Sequence, residues 1–198
     1  MNDTIHHYDK LIDENNDPFR DPPVLKEYMD KWDGQAFIDE MQLNNDKTVL
    51  EVGVGTGRLA DKVCGFCKQF TGIDFSPKTI ERAKENLKEF MNTALICGDF
   101  LTHDFKTRFD VVYSSLTFFH FADKKAAVEK VASLLNDNGR FILSISKNQE
   151  NTVDYGDRKI NLYPDSACAI NNHLTESDLK VLNTFETEFA YIFTSIKS

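Results

Sequence analysis

The stretch Val49-Leu50-Glu51-Val52-Gly53-Val54-Gly55-Thr56-Gly57 decides how the rest of this chain is read. Its first residues form a short β-branched, apolar run that suits a buried strand, and the run breaks at once into three glycines at alternate positions. Glycines at a strand end let backbone and ligand approach closely. A helix opening there offers unpaired N–H groups to an anionic group. A dinucleotide-binding loop needs G-x-G-x-x-G, but the third glycine position is occupied by Arg58. The spacing is G-x-G-x-G, with Glu51 two residues before the first glycine.

Downstream, strands and helices alternate. A helix is predicted over 58–64 and a strand over 70–73. Ser76 is a good N-cap with Pro77 at the first helical position, opening a helix to about Phe90. Strands follow over 94–97 and 109–113. A helix over 124–135, stopped by Asn138-Gly139, leads to a fifth strand over 141–145. Strands joined by helical crossovers predict a doubly wound parallel sheet.

The tail breaks that rhythm. Residues 147–165 are a polar excursion with a short strand over 159–163, and a helix follows near 166–177. The apolar runs 181–189 and 191–196 have almost nothing between them, so they must pair antiparallel. The expected fold is α/β: a doubly wound, seven-stranded, mostly parallel sheet with a C-terminal antiparallel hairpin.

Upstream, residues 1–45 read as a helical cap segment, and 46–198 as a single globular unit. Asp21-Pro22-Pro23 opens a helix whose apolar positions are Val24, Leu25, Tyr28, Met29 and Trp32. Phe37, Ile38 and Met41 form a second apolar face, and Asn44-Asn45-Asp46 closes the segment with turn chemistry. Residues 1–40 hold eleven acidic and four basic side chains, a net −7, whereas the other 158 residues carry only −2. Such a charge run is expected to be a solvated helical surface.

An acidic chain without a basic stripe argues against nucleic acid. No apolar run approaches the roughly 20 residues that span a bilayer, and the first ten residues hold no secretory apolar stretch. A cytoplasmic chain without membrane contact is expected. Cys64 and Cys67 form a C-x-x-C, but no second Cys or His pair lies at zinc-site spacing, so no metal is predicted and the thiols are read as reduced and structural.

Two further acids fall at strand ends. Asp74 closes the second strand, 21 residues after Gly53, where a carboxylate can accept both hydroxyls of a ribose. Asp99 follows the third strand in Cys97-Gly98-Asp99-Phe100. In open α/β sheets ligands bind outside the carboxyl ends of the strands, where these elements converge.

With these residues in view, the chain from about residue 47 onward resembles the class I S-adenosylmethionine-dependent methyltransferases, with their Rossmann-like fold. The E-x-G-x-G-x-G loop and Gly72-Ile73-Asp74-Phe75-Ser76 are similar to the family's first two motifs. Gly98-Asp99, the 109–114 segment and the 134–141 segment match later motifs in order and spacing. The resemblance implies that Glu51, Gly53, Gly55 and Gly57 cradle the methionine part and ribose. Asp74 would hold the ribose hydroxyls and Phe75 the adenine face. Asp99 would accept from the adenine amine beside Phe100, and Ser114 would line the donor methyl. Tyr8 resembles an aromatic residue of the segment that closes over the cofactor. Val54 is bulkier than the small residue common in that loop. Ser114-Ser115-Leu116-Thr117 is not the motif of enzymes that methylate nucleic-acid amines.

The implied reaction is methyl transfer from S-adenosylmethionine, leaving S-adenosylhomocysteine, to an oxygen or nitrogen of a small molecule. That acceptor would be enclosed by the N-terminal helices and the excursion, where Tyr155, Arg158 and Tyr163 are candidate wall residues. His120 and Tyr113 are the candidate catalytic bases; for His120, packing among three phenylalanines is the competing reading. A non-catalytic cofactor-binding module and an NAD-dependent oxidoreductase are the rival classes, and a monomer or homodimer is expected.

Overall fold

The computed structural model describes residues 2–198. The strand read from the quoted stretch, β1 (Thr48–Val52), lies in the interior of a seven-stranded sheet, paired in parallel with β2 (Gln69–Asp74) on one side and β4 (Phe109–Ser114) on the other. β3 (Thr93–Cys97) extends the sheet beyond β2, and β5 (Leu135–Ser146) lies beyond β4. β9 (Ala190–Lys197) is antiparallel both to β5 and to β8 (Leu179–Glu186), so it alone runs against the other six. The strand order is β3-β2-β1-β4-β5-β9-β8, and the chain reverses direction across the sheet between β1 and β4. The doubly wound sheet with its terminal hairpin is therefore observed. A short separate hairpin, β6 (Thr152–Asp154) with β7 (Lys159–Asn161), forms inside the polar excursion.

Alternation along β1 feeds two apolar layers. Leu50 and Val52 face a cluster with Val128 and Val131 of α6 (Lys124–Leu134) and Leu174 of α7 (Ala167–Glu176). Val49 faces the other layer, with Val63 of α4 (Ala60–Val63), Ile80 of α5 (Pro77–Asn86) and Phe37 of α3 (Gly34–Asp39). Two helices precede these: α1 (Asn2–Asp13) and α2 (Pro23–Met29). Ser76 caps α5 as expected, its Oγ accepting from Thr79 N–H at 3.1 Å, with Pro77 at the first position. Among the described residues no helix is long and apolar enough to cross a membrane.

Three expectations are corrected. The helix predicted over 58–64 begins only at Ala60 and tightens into a 3-10 turn, Cys64–Phe66. Asn138-Gly139 does not stop a helix: α6 ends at Leu134 and β5 starts at once. The β4–β5 register then jumps from Phe109–Leu135 to Val111–Arg140, and Asn138 takes a positive φ of 61° in the irregular stretch. The apolar positions of α2 are not a buried face, since Val24, Leu25 and Tyr28 are exposed. Within the N-terminal segment, Phe37 and Met41 are fully buried in the same layer as Val49 and Tyr113.

Candidate active site

A cavity of about 640 Å³ opens outside the carboxyl ends of β1, β2 and β4, at the switch in strand order, within the usual ~300–1,000 Å³ of small-molecule sites. Of the residues singled out from sequence, Glu51, Gly53, Gly55, Asp74, Phe75, Asp99, Phe100, His120 and Tyr8 line it. Gly57, Tyr113 and Ser114 are not among the lining residues.

The glycine loop is shaped by two opposite constraints. A Cβ on Gly53 would lie 2.0 Å from Thr117 Oγ1, and its φ is +80°, so this position admits glycine alone. A Cβ on Gly55 would meet nothing within 4 Å, because that position faces open space. The bulk of Val54 is absorbed by its neighbour strand: Gly72 of β2 has no side chain, and a Cβ there would come within 2.8 Å of Val54 Cγ2.

Asp74 is anchored at both oxygens. Gly55 N–H donates to one at 3.1 Å and Ser76 N–H to the other at 3.0 Å, which leaves lone pairs for hydroxyl donors in the cavity. Burial pushes its pKa up, against these backbone hydrogen bonds. Asp99 is oriented by Leu101 N–H at 2.7 Å. Glu51 is buried, and that burial pushes its pKa up to about 8 despite the Tyr113 hydrogen bond and the Arg58 charge.

Tyr113 and Ser114 have other work than sequence suggested. The Tyr113 hydroxyl is fully buried and donates to Glu51 Oε2 at 2.8 Å, so it holds the carboxyl group from behind and cannot reach a cavity ligand. Ser114 is also fully buried, donating to the Val52 carbonyl at 2.9 Å and tying β4 to β1. The residues after it, Ser115, Leu116 and Thr117, take its expected place on the wall.

Sequence reading missed Arg58 and Asp33. Arg58 lines the cavity and engages both oxygens of the buried Asp33, which also accepts from Ser115 Oγ at 2.8 Å. No local signal marks the pair, because 25 residues separate its members.

That segment roofs the cavity. Tyr8 of α1 places its hydroxyl 2.7 Å from His120 Nε2, and both rings stand edge-on to Phe75. His120 lies in a short 3-10 turn, Phe118–His120, and burial holds its pKa down to about 4, aided by the charges of His7 and Lys124. It is therefore neutral at pH 7. Burial also raises the Tyr8 phenol pKa, as does the nearby Asp74 charge.

Asp3, Asp13, Glu14, Glu27 and Asp39 are exposed, but several acids of the segment pair with the body. Asp9 accepts from Ser76 Oγ at 2.7 Å, Asp13 pairs with Lys78, and the buried Asp17 meets Arg82 at 3.0 Å. Asp30 pairs with Lys62, Glu14 with Arg158 and Glu40 with Arg140. Within the excursion, Tyr163 lines the cavity along with Lys159 and Asn161. Tyr155 and Arg158 instead grip α1: Arg158 Nε donates to His7 Nδ1 at 2.9 Å, and the Tyr155 ring lies 4.5 Å from the His7 ring. The C-x-x-C lies elsewhere, with both thiols buried and Asn92 donating to the carbonyls of Cys64 and Cys67.

Comparison with known proteins places these observations. A family model described as a methyltransferase domain matches residues 43–189. An uncharacterised methyltransferase of Bacillus cereus is 31% identical over 142 residues, 70% of this chain and 62% of that protein, so the chain spans about 62% of the length of such curated relatives. Among solved structures, N-methyltransferase NodS from Bradyrhizobium japonicum WM9, in complex with S-adenosyl-L-homocysteine, aligns with a TM-score of 0.75. It is 17% identical and 98% of each chain is covered. Magnesium protoporphyrin IX methyltransferase from Synechocystis PCC 6803, with bound S-adenosylmethionine, aligns with a TM-score of 0.66 at 18% identity, over 82% of this chain and 75% of that one.

Proposed function

Since this chain belongs to the methyltransferase-domain family, we propose that it transfers a methyl group from S-adenosylmethionine to an oxygen or nitrogen of a small molecule held beneath α1 and the 147–165 excursion. The observation that carries this reading is the convergence of Glu51, Asp74 and Asp99 around the open floor at Gly55, with Tyr8 above.

The residues fit the cofactor. Asp74, pre-oriented by two N–H groups, suits vicinal ribose hydroxyls. Phe75 and Phe100 supply apolar faces for adenine, with Asp99 accepting from its amine. Glu51, Gly53 and Gly55 form the end for the methionine part, and Gly57 supports the loop from outside the lining. The bound cofactor supplies a methyl on a sulfonium, already a good leaving group.

What remains for the protein is alignment and exclusion of water. Tyr8 and the excursion close the cavity above the floor. His120, with a pKa near 4, is too weak a base at pH 7 to give much general-base assistance, so its use is as a neutral wall residue held by Tyr8 beside the acceptor molecule. Tyr8 stays protonated and shares that hydrogen-bond system. The net charge of −9 without a basic stripe supports a free small molecule over nucleic acid, and the enzyme is read as cytoplasmic, a monomer or homodimer.

The test is calorimetry with S-adenosylmethionine, S-adenosylhomocysteine and NAD, followed by a methyl-transfer screen over small amines, phenols and acids. Binding of the first two without NAD, and turnover of at least one acceptor, are expected. Heat with NAD alone would favour an oxidoreductase; cofactor binding without turnover of any acceptor would favour a binding module. Removal of residues 1–16, which stops short of Asp17 and the Asp33–Arg58 pair, should abolish turnover while part of the cofactor affinity survives.

A further inference from the structure

Lys124 stands where a cation is least favoured, in the first turn of α6 at the positive end of the helix dipole. Its neighbour Lys125 turns outward and pairs with Glu176 at 2.9 Å. Lys124 turns inward. Its ammonium donates to the carbonyl oxygens of Phe118 at 2.5 Å and Tyr163 at 2.6 Å, and lies 3.0 Å from the carboxylate of Asp165, whose side chain is wholly shielded from solvent. The two carbonyls accept hydrogen bonds, and the buried Asp165 carboxylate, whose oxygens have no hydrogen-bond partner, meets the ammonium as an ion pair.

The two carbonyls belong to different walls of the cavity. Phe118 opens the turn that carries Phe119 and His120 to the lining, and Tyr163 lies near the end of the excursion that brings in Lys159 and Asn161. These segments also meet through Tyr163 N–H, which donates to the Phe119 carbonyl at 2.7 Å. A buried ion pair adds little net stability compared with apolar packing of the same volume, so its value in this place is geometric.

We propose that Lys124 is a positioning residue for methyl transfer: by joining the Phe118 carbonyl, the Tyr163 carbonyl and Asp165, it fixes His120 and Phe119 against the excursion and sets the shape in which the acceptor is held. The proposal rests on the reading of the cavity as a methyl-transfer site. The Lys124 charge also acts on the His120 imidazole, together with burial and His7, in the direction that keeps it neutral.

The test uses the full chain with S-adenosylhomocysteine bound. Lys124→Met keeps the aliphatic stem and removes all three donors. Amide exchange over residues 150–163 is expected to rise by about tenfold or more. By NMR, His120 should titrate at a higher pH than its wild-type value, while affinity for S-adenosylhomocysteine stays within about threefold, since the cofactor groups are elsewhere. Lys124→Arg, which keeps charge and donors, should recover most of both. Unchanged exchange and titration in Lys124→Met, with the cofactor product bound, overturn the proposal alone. Failure of the wild-type chain to bind S-adenosylhomocysteine overturns the reading of the cavity, and the proposal with it. If Lys124→Met does not fold, Asp165→Asn carries the same test: faster exchange over 150–163 supports the clamp, and unchanged exchange overturns it.

Discussion

The Tyr8 hydroxyl lies 2.7 Å from His120 Nε2, and this one hydrogen bond joins the first helix to the turn behind β4 across the mouth of the cavity. Tyr8→Phe removes it while the ring keeps its edge contact with Phe75. Loss of such a bond costs about 1 kcal/mol of closure, and turnover should fall roughly fivefold. Affinity for S-adenosylhomocysteine should change by less than about threefold. Faster amide exchange in α1 would report the loosened roof, and unchanged exchange would count against a bridging role.

Acid should loosen the same roof. Burial is the main cause holding His120 down to about 4, and it also lowers the pKa of His7, whose Nδ1 accepts from Arg158. A histidine depressed below its ordinary 6.5 contributes stability that is complete above pH 6.5 and is lost as pH falls through the folded value. For His120 that contribution is at most about 3 kcal/mol. Thermal melts between pH 7 and pH 4 should show this decline, and His120→Gln should show a shallower one. Parallel curves would sink the assignment.

Glu51 works in the opposite sense. Burial raises its pKa from 4.5 to about 8, so the folded state favours the protonated carboxyl and stability falls as pH rises from 4.5 to 8. Glu51→Gln keeps an acceptor for Tyr113 and removes that penalty. Its melting temperature should exceed that of the wild type at pH 8–9 and match it near pH 4. Affinity for S-adenosylmethionine should drop by about tenfold, a trade of function for stability common at binding sites.

The Asp33–Arg58 pair should be unforgiving of half-removal. Asp33→Asn leaves a mostly buried guanidinium with only the Asp30 carboxylate, 3.7 Å away, and should cost about 3 kcal/mol in urea unfolding. Adding Arg58→Met should recover much of the loss. A double-variant cost equal to the sum of the Asp33→Asn and Arg58→Met costs would show that the two residues are not coupled.

The sheet was readable because its strands announce themselves: β-branched runs such as 49–52 end in glycine or acid, and Ser76-Pro77 marks a helix start by local chemistry alone. The floor of the cavity was readable for the same reason, since Glu51, Asp74 and Asp99 each sit at a strand end. What escaped depends on long-range contact. Tyr113 was read as a base, but strand alternation turns its hydroxyl inward to Glu51, and Ser114 bonds β1 rather than the cavity. Arg58, Asp33 and Lys124 act through partners between 25 and 82 residues away or across two loops, which no local pattern encodes.

The pairing of the N-terminal acids with Lys62, Lys78, Arg82, Arg140 and Arg158 has a consequence for the order of assembly. These cations sit on strands, helices and a loop that come later in the chain, so α1 and α2 have nothing to dock on until the sheet has formed. The strand ends alone make an open bowl, and it becomes a chamber only where α1 lies across it.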